Sequence, residues 1–266
     1  MAFPLVRPAM AVLLLSTLVR SSEAAQTQPD QVQIASTLAN GSPDERTAAI
    51  TAVRNISVPQ RTPLLVSALV QELDRLRHEQ EQRQLALQTG LPLPPSSEQG
   101  EYLFSVIEVV TQHKDPVFIR PLMPFIGTGN KVVNSIAAFG ELAAADVAAI
   151  AASGLSSPTD VHSALFTLRR MLEQPSEYSL SPRSTRLIID VAKQRLTGIQ
   201  KPAVIIEAVD LAVATGDLEL IQRVQMLAGN QAAVNRLGIS EPTLVADIQK
   251  KATVALAARG LSPLAR

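Results

Sequence analysis

From residue 31 onward the apolar residues of this chain return at intervals of three and four, and that periodicity restricts the possible folds more than any other feature. Ala49, Ala52, Val53 and Ile56 follow it, as do Leu103, Val106, Ile107 and Val110, and Ile119, Leu122, Met123 and Ile126. Val161, Ala164, Leu165, Leu168 and Leu172 continue it, followed by Leu187, Ile188 and Val191 and then by Ile221, Val224 and Leu227. Such spacing lines one face of a helix. No segment sustains the apolar and polar alternation between turn residues that marks a half-buried strand. The spacing predicts an all-α chain.

Punctuation divides these stripes into about eleven helices. Ser42-Pro43-Asp44-Glu45 is a helix start: Ser42 can accept from an orphan amide, Pro43 has no amide to orphan, and the acids favour the positive end. Ser157 or Thr159 with Asp160, and Ser181-Pro182, are placed to do the same. Gly127, Gly140, Gly154, Gly198, Gly216, Gly229 and Gly260 fall just past stripes, where a left-handed residue closes a helix. Within residues 115–153 the spacing predicts a helix over 116–126, a turn through Gly127-Thr128-Gly129-Asn130, a helix over 131–139, Gly140, and a third helix of nearly pure Ala, Val and Ile. Loops this short make antiparallel neighbours. One such pair cannot bury both its faces, so the pattern calls for further pairs stacked on it.

Residues 31–56 and the 115–153 stretch resemble the HEAT-repeat family. Its pattern is a first helix ending in Leu, an acidic or Asp-Pro turn, and a second helix in which an Arg, an Ala three residues on and a closing small or apolar residue recur. Arg46, Ala49 and Val53 match in the first unit, and Val132, Ala137, Phe139 and Gly140 in the second, where Asn134 stands in place of the Arg. Weaker echoes run through 160–165 and 202–214. The resemblance implies an α-solenoid of stacked antiparallel helix pairs, a HEAT-like superhelix forming one domain over 26–266. Proteins of that fold mostly serve as scaffolds and share no chemistry. A partner would lie on the concave face lined by the second helix of each pair, where Lys131, Asn134, Arg169 and Arg170 are the candidate contacts. Arg169-Arg170, at the end of an apolar stripe, also fits a plain complement to the negative end of its helix.

Residues 71–88 carry a helix past its apolar stripe with alternating charges, such as Glu79 and Arg83, and TGLPLPPSSEQG follows at 89–100. This charged extension and Pro-rich loop, at about 77–100, predict a solvated helix end and a surface connection, with a docking arm as the alternative.

The first 25 residues have the form of a signal peptide: Arg7, an apolar run over Ala9–Leu15, Leu18-Val19, and small residues at Ser22 and Ala24 placed for cleavage near Ala24 or Ala25. The run is shorter than the roughly 20 apolar residues that cross a bilayer. No later run is long and charge-free enough to span, so the chain should hold no stable membrane span after cleavage. With no cysteine there is no lipid-modified Cys and no disulfide, which suits a bacterial periplasm or a secreted protein. The alternative is an uncleaved anchor holding a helical adaptor at the membrane. Twenty-four Lys and Arg balance 24 Asp and Glu, removing the electrostatic reason to expect nucleic acid.

Candidate chemistry is sparse. His78, His113 and His162 lie far apart with no metal-pair spacing, although Asp74 stands four residues before His78, so no metal or cofactor is expected. Gly127-Thr128-Gly129-Asn130-Lys131 has Asn130 and Val132 where a phosphate loop needs Gly and Ser or Thr. No Gly-x-Ser-x-Gly elbow occurs. Paired carboxylates remain: Glu101 with Glu108, Glu141 with Asp146, and Glu207 with Asp210. Each also fits a helix start or an exposed face, and with no Trp and two Tyr a sugar cleft is poorly supplied. Asn40-Gly41-Ser42 and Asn55-Ile56-Ser57 match glycosylation sequons, a frequent chance pattern. The expectation is therefore an exported protein-binding scaffold or structural adaptor of the bacterial envelope, with no catalytic residue assigned. The alternative is an all-helical periplasmic lyase or hydrolase using paired carboxylates.

Overall fold

The computed structural model describes residues 30–92 and 99–262, and every regular element among them is helical, as the apolar spacing predicts. The signal-peptide segment and most of the Pro-rich stretch lie outside the described residues. The chain forms two compact units that part between Ala68 and Leu69, within one continuous helix.

In the first unit, α1 (Gln31–Asn40) and α2 (Pro43–Arg54) pack on each other across a two-residue connection. Asp30 caps α1 by accepting from Val32 N at 2.9 Å. At α2 the expected start is a full capping box: Glu45 N donates to Ser42 Oγ at 3.4 Å and Ser42 N to Glu45 Oε2 at 2.7 Å. Leu38, Ile50, Val53 and Ile56 are buried between the helices, Ile50 taking the place expected for Ala52. A 3₁₀ turn (Val58–Gln60) then leads into α3 (Pro63–Thr89). Gln31 ties that turn down, donating to Gln60 O and accepting from Thr62 N, both at 2.8 Å.

The second unit holds the rest of α3, whose far end is the expected charged extension: Arg75 pairs with Glu72 and Glu79, and Arg77 with Asp74 and Glu81. Its near end is less solvated than its composition suggests. Glu72 is 2% exposed and accepts from Tyr102 Oη at 2.7 Å, a side chain of α4 (Gln99–His113).

The single helix expected over 116–126 is instead three short pieces: a 3₁₀ turn (Pro116–Phe118), α5 (Ile119–Leu122) and a longer 3₁₀ segment (Met123–Thr128). Pro121 and Pro124 have no amide to donate back to residues 117 and 120, so an uninterrupted α-helical ladder is impossible there. The tighter winding also resets the buried face, and Phe125 fills the core where the stripe pointed to Met123. Gly129, at φ 139°, then turns the chain into α6 (Asn130–Ala137). Of the seven glycines expected to be left-handed caps, Gly140, Gly216 and Gly260 have positive φ and the other four do not. Gly127 has another reason to lack a side chain, since a Cβ there would overlap Asp160 Oδ1.

From here helices alternate between two rows. Row one is α7 (Glu141–Ala152), α10 (Pro182–Arg195) and α12 (Leu218–Gly229); row two is α6, α8 (Pro158–Glu173), α11 (Pro202–Thr215) and α14 (Pro242–Ala257). Short α9 (Pro175–Tyr178) and α13 (Gln231–Asn235) sit in connections. Consecutive helices pack as pairs, α7 on α8, α10 on α11, and α12 on both α11 and α14. Each helix also packs on its neighbour within its row: α7 with α10, α10 with α12, α6 with α8, α8 with α11, and α11 with α14.

The sequences fit these places. α11 touches α8, α10, α12 and α14, and it is apolar almost all round, with Val204, Ile205, Ala208, Val209, Leu211, Ala212 and Val213 buried. α7 packs through Ala143, Ala144, Ala148 and Ala151, whose small side chains let helix backbones approach closely. On α8, Leu165 and Leu168 are fully buried; truncating either to Ala should cost about 2–5 kcal/mol.

Candidate functional site

Charged residues in the interior of row two must be paired, because burying an unpaired charge is costly. Glu207, one face of whose helix is pressed onto α8, is 5% exposed and accepts from Arg169 Nε at 2.7 Å. Arg169 Nη1 also donates to Glu173 Oε1 at 3.2 Å, and the guanidinium lies 4.8 Å from the centre of the Phe166 ring. One turn along α11, Asp210 meets Lys251 Nζ of α14 at 2.6 Å. His162 Nδ1 stands 3.3 Å from Ala203 O, joining the first turns of α8 and α11. His162, Phe166, Arg169 and Glu173 of α8 follow helical spacing, as do Ala203, Glu207 and Asp210 of α11, so each set lies along one side of its helix. Together they make a polar seam across α8, α11 and α14.

Burial pushes the Glu207 carboxyl above the usual carboxylate range, with Arg169 pulling the other way and Asp210 adding to the rise. Burial works against the Arg169 charge too, but Glu207, Glu173 and Asp210 outweigh it and the guanidinium holds its proton more tightly than usual. The seam therefore locks the rotation of α8 against α11. Its two inner carboxylates are each held by a cation, so neither is presented as a free acid or base.

Of the four residues the sequence offers as partner contacts, Lys131 and Asn134 are exposed on α6, with Lys131 Nζ 5.1 Å from the centre of the Phe104 ring. Arg169 belongs to the seam. Arg170 is turned to another side of α8, beside Tyr178. Lys131, Asn134 and Arg169 thus lie on adjoining helices of row two, and Arg170 is directed elsewhere.

The other carboxylate candidates are apart. Glu101 and Glu108 lie exposed on α4, and Asp146 is exposed on α7. Glu141 instead latches two helix starts together: it accepts from Ser181 N at 2.9 Å, Ser181 Oγ at 2.8 Å and Ser184 Oγ at 2.8 Å, bonds that hold its carboxyl below the usual range. The histidines are equally dispersed: His78 Nδ1 meets the backbone carbonyl of Asp74 at 2.9 Å, and His113 packs edge-on against Phe118. Among the described residues no three His, Asp or Glu side chains converge as a metal-holding group. Nor is any helix among them long and apolar enough to cross a membrane.

The sequence hides the seam because its partners are 38 residues apart in the Arg169–Glu207 pair and similarly far in the Asp210–Lys251 pair. The available signal is the pair Glu207 and Asp210, two acids three residues apart inside an otherwise apolar helix. No protein-family model matches this chain, and no curated protein or solved structure does either.

Proposed function

We propose that this chain is a HEAT-like α-solenoid, exported through its N-terminal segment, that works in the bacterial cell envelope as a protein-binding scaffold or structural adaptor. The observation that carries this reading is the two-row packing of α6 to α14, in which α7, α10 and α12 contact α8, α11 and α14 in turn and the long helices also contact their neighbours within each row. That is the connectivity expected of stacked antiparallel pairs, whose second helices line an extended surface. The seam supports the same reading, since its buried charges are spent on fixing one helix against the next, and a scaffold needs rigid spacing more than it needs a free acid. Lys131 and Asn134 continue that row outward as exposed contacts.

The test is capture from an envelope extract of the host after mild crosslinking, comparing the wild type with Lys131→Glu, Asn134→Arg and, as a control on the opposite row, Asp146→Lys. A protein recovered stoichiometrically by the wild type and the control, and lost with the two α6 variants, is the expected result. Equal recovery by all four forms, or recovery by none, contradicts the assignment of this row as the binding surface. Mass spectrometry of the mature N-terminus, with Ala25 or Gln26 as the first residue, tests export independently.

A further inference from the structure

We propose that a cleft at the N-terminal ends of α8, α11 and α14 binds a carboxylate that carries an aliphatic group. This site is separate from the polar seam and does not depend on the scaffold reading.

The cleft has a volume of about 620 Å³ and lies where the α7–α8 and α10–α11 connections meet the start of α14. Small-molecule sites commonly measure roughly 300–1,000 Å³. Its wall includes Arg195, Gln200 and Lys201 on the polar side and Ile199, Ile239 and Leu244 on the apolar side, and no acid lines it. The nearest acids along the chain are Asp160 and Glu241. Asp160 accepts from Ser157 Oγ at 2.7 Å, and Glu241 precedes α14 outside the wall.

Arg195 is the telling residue. It is 7% exposed, yet its contacts are all neutral: Nε donates to Ala151 O at 2.6 Å, Nη2 to Ser153 O at 2.7 Å and Nη1 to Gln200 Oε1 at 3.0 Å. Each nitrogen thus has one neutral partner, which leaves the second proton of each Nη without an acceptor among the described residues. The two carbonyls at the end of α7 supply only part of a negative charge. Burial lowers the Arg195 pKa with no carboxylate to offset it, the opposite of Arg169, where carboxylates prevail. A buried guanidinium in that condition wants an anion.

The surroundings say which kind. Lys201 is exposed at the rim and makes no ion pair among the described residues. Helices α11 and α14 both begin without a side-chain cap, so the partial positive charge of each helix start is left uncompensated by a capping side chain. Two guanidinium protons match the two oxygens of one carboxylate. The apolar wall, with Ile199 83% exposed, would cover an aliphatic chain and has little to offer a free phosphate. Such a carboxylate could come from a free branched acid or from the C-terminal residue of a polypeptide.

The experiment is calorimetric titration of the purified protein with 4-methylpentanoate, with 4-methylpentanamide, with N-acetyl-Ala-Leu as acid and as amide, and with inorganic phosphate. The proposal predicts saturable binding of at least one acid, none of its amide, and affinity weakened about tenfold or more in Lys201→Glu, whose exposed side chain leaves the fold alone. Binding of the dipeptide acid alone assigns the source to a chain terminus, and binding of the free acid alone assigns it to a small molecule. Equal binding of acid and amide, unchanged affinity in Lys201→Glu, phosphate competing as well as the acids, or no binding of either acid overturns it.

Discussion

Replacing Arg169 with Met would leave the Glu207 carboxylate inside the α8–α11 contact with its strongest partner gone. Glu207 is 5% exposed and takes a 2.7 Å bond from Arg169 Nε, so the pair is broken rather than resolvated. Removing one member of a buried pair costs about 3–5 kcal/mol. The Arg169 side chain keeps 19% exposure, which places the expected loss near the lower end, about 3 kcal/mol at pH 7. The pH dependence has a definite sign. An acid whose folded pKa is raised contributes stability that is fully present below its unfolded pKa and lost as pH rises through the folded one. Without Arg169 the Glu207 pKa rises further, so the penalty of the variant should be largest at neutral pH and shrink steadily as pH falls towards the ordinary carboxyl value. Adding Glu207→Gln should restore at least about 2 kcal/mol at pH 7, because the buried charge disappears with its partner. Urea unfolding followed by circular dichroism at pH 7, 6 and 5 measures all of this. A loss below about 1 kcal/mol that does not change with pH would mean a solvated surface pair and refute the reasoning.

Other consequences are as direct. Gly140→Ala should destabilise by about 2 kcal/mol or more in urea unfolding, since Gly140 has φ 54° and a Cβ would lie 2.9 Å from Tyr178 O; Gly154→Ala, with open space and no positive φ, should instead gain about 0.4–1 kcal/mol in the same assay. Ser42→Ala should cost about 1 kcal/mol by opening the capping box at α2, read as a lower urea midpoint. Glu141→Gln should weaken the α7–α10 latch at neutral pH and matter progressively less as acid protonates the wild-type carboxylate, because a group with a lowered pKa contributes stability that is lost as pH falls.

Much of the helix pattern is legible in the chain because period and punctuation agree. On α8, Val161, Ala164, Leu165 and Leu168 are buried as spaced, with Met171 in place of the expected Leu172, and Ser42 and Ser181 cap the helices they precede. The reading fails where local chemistry overrides period. Pro121 and Pro124 break a stripe that is otherwise regular, and the glycine after a stripe is a left-handed cap only where the chain reverses in that way, as at Gly216. Long-range polar contacts are hidden for a different reason. Arg195 looks like one more basic residue in a last helical turn, and besides Gln200 its partners are the backbone carbonyls of Ala151 and Ser153, to which no side-chain identity points. Glu72 likewise gives no sign, within a charged run, that Tyr102 will cover it.

The two-row packing can be tested on the unmodified protein with a zero-length carbodiimide, which joins an amine to a carboxylate only when the two are in contact. Asp210 and Lys251 lie 2.6 Å apart across row two, and Lys193 and Glu219 lie 2.6 Å apart across row one. Peptide mass spectrometry should recover both amide links from the same monomeric molecules. Loss of both, with Lys193 or Lys251 coupled instead to carboxylates of the other row, would contradict the stacked-pair arrangement on which the scaffold reading stands.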